Sequence, residues 1–154
     1  MALTVALAAA LLEKLLIDPQ QARRLRRLRQ ACLALIERDA HTFARAINAT
    51  RQQRADGFRR ALKAATQLQW QLYASAHAIQ AICLRTQATV RPRFRSDLRC
   101  AQALARAGSQ GAKTLIVTNL AWLRDARYTR QMTRRLQSRS LVSADARTRG
   151  RRPR

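Results

Sequence analysis

The amino-acid sequence predicts an all-α fold, a five-helix antiparallel bundle followed by a disordered basic C-terminal tail. Three observations carry this. Alanine, leucine and arginine dominate the chain, and such residues lose little side-chain freedom in a helix. Only four glycines and three prolines interrupt 154 residues, so breaks are few. Apolar residues also recur at i, i+3 and i+4 along most of the chain, the period of a helix buried on one face. The length suits one domain, assigned to residues 1–136, with 137–154 as the tail.

The first helix is expected from about Ala2 to Ile17. Its sequence, MALTVALAAALLEKLL, is apolar enough to invite comparison with a signal peptide. No basic segment opens it, however, and Glu13 and Lys14 interrupt it before a membrane-spanning length is reached, so a buried helix is expected. Asp18-Pro19 supplies an N-cap and a proline at the first helical position, starting a second helix that runs to about Thr50. A polar break from Arg51 to Gly57 separates it from a third, about Phe58 to Arg85. The stretch Thr86 to Arg95 contains Pro92 and should be a loop. Ser96 can cap a fourth helix that ends near Gly108 to Gly111, and a fifth runs from about Ala112 to Leu136. The remaining QSRSLVSADARTRGRRPR has no apolar period.

Polar residues inside apolar stripes are the candidates for chemistry. In the second helix Leu25, Leu28, Cys32, Ile36, Phe43 and Ile47 form one stripe, and steps of 100° place Asp39 within it. A carboxylate there must be paired, hydrogen-bonded or protonated. It serves either a partner helix or a pocket, and a desolvated carboxylate with a raised pKa can move protons near neutral pH. Asn119 lies in the stripe Ala112, Ile116, Leu120 and Leu123, where it is structural glue or a ligand contact. Asp125 falls on the opposite side and should be solvated. Asp97 begins the fourth helix, a position that suits both the helix dipole and a pocket. The third helix carries an unusually polar face, with Gln69, Tyr73 and Gln80 in its stripe and His77 at the edge. That face suits a hydrated cleft or a subunit contact, while His41 projects to the surface.

The formal net charge is +23, which favours polyanionic partners. Lysine occurs only at Lys14, Lys63 and Lys113, and the other basic residues are arginine, a skew that base composition explains as well as phosphate binding does. Cys32, Cys83 and Cys100 are widely spaced and far in sequence from both histidines, which argues against a disulfide framework or a metal site. All three are expected as buried small hydrophobes in a reducing, cytoplasmic setting. No phosphate-cradling glycine loop or nucleotide fingerprint is present.

Two stretches resemble a known family. LALIERDAHTFARAI, from Leu33 to Ile47, is similar to the segment LIDEDAxAFxxV of the cyclodeaminase/cyclohydrolase family of folate enzymes, with Leu35, Ile36, Asp39, Ala40 and Phe43 matching. RSDLRCAQALARAGSQGAKTLIVTNLAWLRD, from Arg95 to Asp125, resembles the family's run SDxxxAxxLAxAAxxGAxxNVxxNLxxLxD. There Ser96, Asp97, Ala101, Leu104, Gly111, Ala112, Asn119, Leu120, Leu123 and Asp125 match in order. With weaker similarity at Ala65-Thr66 and in the first helix, the resemblance spans roughly Thr4 to Leu136.

The resemblance implies an all-helical, folate-binding homodimer. It implies release of ammonia from 5-formiminotetrahydrofolate to give 5,10-methenyltetrahydrofolate, or hydrolysis of the methenyl compound. Both reactions need positioned proton transfer and no metal. Asp39 and Asp97 are then the catalytic carboxylates, with Ser96 and Asn119 on the substrate, a tetrahydrofolate derivative that can carry a polyglutamate tail; no bound cofactor or membrane is expected. The chain departs from the family in several places. It begins after the point where the family's Pro-Gly-Gly-Gly-Ser loop stands, and Gln67 and Tyr73 replace an expected Lys and Pro. Arg91-Pro92-Arg93-Phe94 replaces the Gly-Asn before Ser-Asp. Loss of the glycine loop and of basic residues would impair a pterin pocket. Two alternatives stand beside the enzyme: a non-catalytic scaffold of the same fold, and a basic protein that binds nucleic acid non-specifically, with a steep salt dependence.

Overall fold

The structure is a computed structural model that describes residues 1–16 and 18–149, with side chains to residue 139. Five α-helices follow one another, α1 (Ala2–Leu15), α2 (Pro19–Arg51), α3 (Ala55–Thr86), α4 (Arg95–Leu123) and α5 (Ala126–Arg149), with a short 3-10 turn at Pro92–Phe94. No strand occurs among the described residues. The fold is the all-α bundle that the sequence predicts.

Each boundary has a local cause. Asp18 caps α2 by accepting a hydrogen bond from the Gln20 amide at 2.8 Å, ahead of Pro19. The α2–α3 hairpin turns through Gln53, whose φ of 53° is left-handed, and the Arg54 amide bonds back to the Ala49 carbonyl. Side-chain pairs set the directions. Glu13 meets Arg26 and Arg29, Asp39 meets Gln69, and Gln80 meets the Ala105 carbonyl. Consecutive helices are therefore antiparallel from α1 through α4, and α1 also packs antiparallel against α4, closing a four-helix ring. Helix α5 returns parallel to α3, with the Tyr128 hydroxyl donating to the Lys63 carbonyl and Arg139 to that of Ala74.

The core is aliphatic and alanine-rich, from Val5, Ala8, Ala9 and Leu12 on α1 to Ile79 and Ile82 on α3 and Ile116 on α4. This confirms α1 as a buried helix, and no described helix is long and apolar enough to cross a membrane. Two expectations are corrected. Gly108 and Gly111 do not end a helix, since α4 passes through both and stops only at Arg124, whose φ is 49°. These glycines are packing residues. A Cβ on Gly108 would overlap Val5 Cγ2, and one on Gly111 would overlap Met1 Sδ, so α1 lies directly on α4. Ser96 also makes no cap, because α4 begins at Arg95 with Phe94 at the N-cap position and no side-chain capping bond. Met132 and Leu136 are buried on α5. The helical backbone nevertheless continues through Arg149 into the segment expected as a tail, because no Pro or Gly stops it before Gly150. Residues 150–154 of that tail lie outside the described residues.

Candidate active site

The first residues of α1 lie beside Leu35 to Asp39, about midway along the 33-residue α2, and a cleft opens there. The cleft measures about 290 Å3. Met1, Ala2 and Leu3 form one wall, Leu35, Ile36 and Asp39 of α2 another, and Leu68, Gln69 and Leu72 of α3 with Leu115 of α4 the rest. Asp39 is the one charged residue among those lining it. Its carboxylate Oδ1 accepts a hydrogen bond from Gln69 Nε2 at 3.1 Å. The amide thus turns its nitrogen end towards Asp39. Gln69 is buried, and its Oε1 accepts no hydrogen bond among the described residues. An unmet buried acceptor of this kind costs about 1–3 kcal/mol, and here it accompanies the hold on Asp39.

The environment of Asp39 differs from the seam that periodicity implies. Asp39 is exposed, and so are Ile36 and Phe43 on the same helix face. The stripe is buried at Leu25 and Cys32, with Leu35 beside it, and is exposed at Ile36 and Phe43.

The other candidates fall into two groups. Asn119 is half-buried one turn beyond Leu115 on the same face of α4, next to the Asp39 cleft. Asp97 is half-buried and Ser96 exposed in the first turn of α4, roughly 27 Å of helical rise before Leu115. They neighbour a second cleft of about 490 Å3 between the C-terminal end of α1 and the loop after α3, lined among others by Lys14, Asp18, Arg85, Arg91 and Phe94. Within one chain the two predicted carboxylates are therefore not brought together. The Asp39–Gln69 bond is the site feature that sequence reasoning missed. Its signal was present as two polar residues in the apolar stripes of helices joined by a hairpin.

Asp125 is corrected from a solvated helix position to the α4–α5 junction. There it bonds Lys63 Nζ at 2.8 Å and accepts from the Tyr128 amide at 3.0 Å. The Lys63 hydrogen bond, then the Tyr128 amide, hold its carboxyl below the usual value. Cys32 and Cys83 are buried and Cys100 is exposed, so the expectation for Cys100 is corrected; all three are free. Burial pushes the Cys83 thiol up to about 11. His41 is exposed, as expected. The polar face of α3 packs against α4, where Ser109 Oγ and His77 Nε2 lie 3.1 Å apart. No group of three or more His, Cys, Asp or Glu side chains able to hold a metal occurs among the described residues.

Comparison with known proteins bears on this arrangement in two ways. The formiminotransferase-cyclodeaminase family model matches residues 18–138. The crystal structure of formiminotetrahydrofolate cyclodeaminase from Thermotoga maritima superposes with a TM-score of 0.86 at 16% sequence identity, over 97% of this chain and 82% of that one. Comparison with curated protein sequences gives no match. The structural likeness, at this identity, speaks for the shared fold. The family match covers most of the chain and includes Asp39, Ser96, Asp97 and Asn119, and on that ground the chain belongs to the formiminotransferase-cyclodeaminase family.

Proposed function

We propose that this protein is an enzyme of folate one-carbon metabolism that acts on a tetrahydrofolate derivative in the Asp39 cleft. It releases ammonia from 5-formiminotetrahydrofolate or hydrolyses the 5,10-methenyl compound. The observation that carries this reading is the position of Asp39, a residue within the family match that stands in a cleft and is oriented by the buried Gln69 amide. Closing the one-carbon bridge moves a proton from N10 to the departing ammonia nitrogen, opening it moves one from the incoming water to the nitrogen released from the bridge, and Asp39 is the group that carries it. Asn119 hydrogen-bonds the pterin from the adjoining turn of α4. The unpaired arginines of the outer surface favour a polyglutamated form of the substrate.

The cleft is at the lower edge of the volume that holds a folate-sized ligand. Its rim is apolar and exposed at Leu3, Ile36 and Leu115, and the same faces continue one or two turns on to Leu7, Phe43 and Trp122. An exposed apolar patch of this extent marks an interaction surface, and a second copy of the chain is its partner in our reading. If Ser96 and Asp97 serve the same reaction as Asp39, they do so from the other chain of that dimer. The free cysteines suit a reducing, cytoplasmic setting.

The test is turnover of 5-formiminotetrahydrofolate and of the methenyl compound, followed by methenyl absorbance and by ammonia release. Asp39→Asn should lower kcat by about 10²–10⁴-fold, the usual contribution of a positioned acid/base. An active preparation indifferent to this substitution would remove Asp39 from proton transfer. A folded protein that turns over neither compound would instead favour the non-catalytic scaffold.

A further inference from the structure

We propose that a further cleft, between α3 and α4, binds an oxyanion, either a phosphate or a carboxylate group, held between Arg106 and Lys113 over a floor made by His77 and Ser109. It shares no lining residue with the Asp39 cleft.

The floor is built rather than incidental. Ser109 and Gln80 are 7% and 8% exposed, and both line the cleft. Ser109 Oγ lies 3.1 Å from His77 Nε2, and the Tyr73 ring, its centroid 4.3 Å from that of His77, backs the imidazole. Gln80 Nε2 donates to the Ala105 carbonyl at 3.2 Å, which spends one amide hydrogen and fixes the side chain. Arg106 and Lys113 precede and follow Ser109 by three and four residues, so all three share one face of α4. The two cations are separated by roughly 10 Å of rise, with the hydroxyl between them.

Charge gives the arrangement its direction. Among the described residues three cations have a carboxylate partner. Lys63 pairs with Asp125, and Arg26 and Arg29 pair with Glu13. Arg106 and Lys113 form no ion pair among the described residues, and no described carboxylate lines the cleft. Two unneutralised cations beside hydroxyl and imidazole groups make a concave site for negative charge. Its volume of about 700 Å3 leaves room for the body of a molecule that carries the anionic group.

The test titrates the full-length protein separately with inorganic phosphate and with succinate, at fixed ionic strength, reading the imidazole nitrogen resonances of His77. His41, exposed on α2, is the internal reference. The expected result is a saturable shift at His77 but not at His41 with at least one anion. Affinity should fall about tenfold or more in Arg106→Gln and in Lys113→Gln, as the loss of one charge-assisted hydrogen bond implies. Arg60→Gln, on a different surface, should leave it unchanged. Tighter binding of phosphate identifies a phosphoryl ligand, and tighter binding of succinate a carboxylate ligand. Saturation by neither anion overturns the proposal. So does an equal loss in Arg60→Gln, which would mean that net surface charge alone attracts the anion.

Discussion

Substituting Gly108 by alanine should destabilise the fold, although it adds a better helix former to the middle of α4. In an uncrowded helix, Gly→Ala stabilises by about 1 kcal/mol. At Gly108 the new Cβ overlaps Val5 Cγ2, with Val5 Cβ and the Val5 backbone nitrogen only 3.6 and 3.8 Å away. Val5 is fully buried and, being β-branched, has little rotamer freedom in a helix, so α1 itself must move. Overpacking of this kind costs about 1–3 kcal/mol, which leaves a net loss of up to about 2 kcal/mol. For a domain of this size that lowers Tm by roughly 2–8 °C. Val5→Ala removes the obstruction at its own cavity cost. On that background Gly108→Ala should regain its gain of about 1 kcal/mol, so the cycle isolates a coupling of about 1–3 kcal/mol. Urea unfolding of the four proteins measures it. A Gly108→Ala variant more stable than its parent, or an effect independent of residue 5, would mean that α1 is not seated on α4 at this point.

Gly111→Ala gives the contrasting sign. Its obstruction is Met1 Sδ, the far end of a half-exposed flexible side chain that can swing away, so a gain of up to about 1 kcal/mol is expected in the same assay. An aromatic disulfide reagent should titrate one thiol, Cys100, in the native protein and three after unfolding. Burial keeps Cys83 protonated up to about pH 11, and fast labelling of Cys83 in the native state would contradict the packing between α3 and its neighbours. The folded pKa of Asp125 lies below its ordinary 3.8, so its stabilisation is complete above that value and fades as pH falls through the lower, folded one. The Tm deficit of Asp125→Asn should therefore be present near neutrality and shrink in acid; a deficit that persists at low pH would assign its role to something other than charge. Trp122→Ser, on a side chain 70% exposed, should shift the mass measured by sedimentation towards the monomer without lowering the monomer's stability. An unchanged mass would separate the apolar face from self-association.

Much of the bundle was legible because its rules are local. Asp18-Pro19 could be placed as a helix start from two residues, and the polar run before Gly57 as a turn, since caps and breaks act within one helical turn. The fourth boundary was misplaced for a physical reason. Glycine both stops helices and lets them touch, and only the neighbour, here Val5, decides between the two. The actual stop, at Arg124-Asp125, lacks a glycine; an acidic side chain there collects the first amides of α5 and the ammonium of Lys63. Asp39 was singled out as a polar residue in an apolar register, and the structure places it in a cleft. Its burial was overestimated, because a periodic stripe reports a face and cannot report how far the covering helix extends. The link from Asp39 to Gln69 depends on hairpin register, which no single stripe contains.

The uneven burial along α2 has a consequence for how the molecule opens. Leu25, Cys32 and Leu35 of α2 are buried, whereas from Asp39 to Arg51 only Ala49 is. One unbroken helix thus spans two levels of local stability. Amide hydrogen exchange should be slowest near Leu25 to Cys32 and should quicken beyond Asp39, without any break in the backbone ladder. Asp39 stands at the frontier between the two. The distal half of α2 can then open locally at far less cost than global unfolding, while the turn up to Leu35 stays anchored in the core.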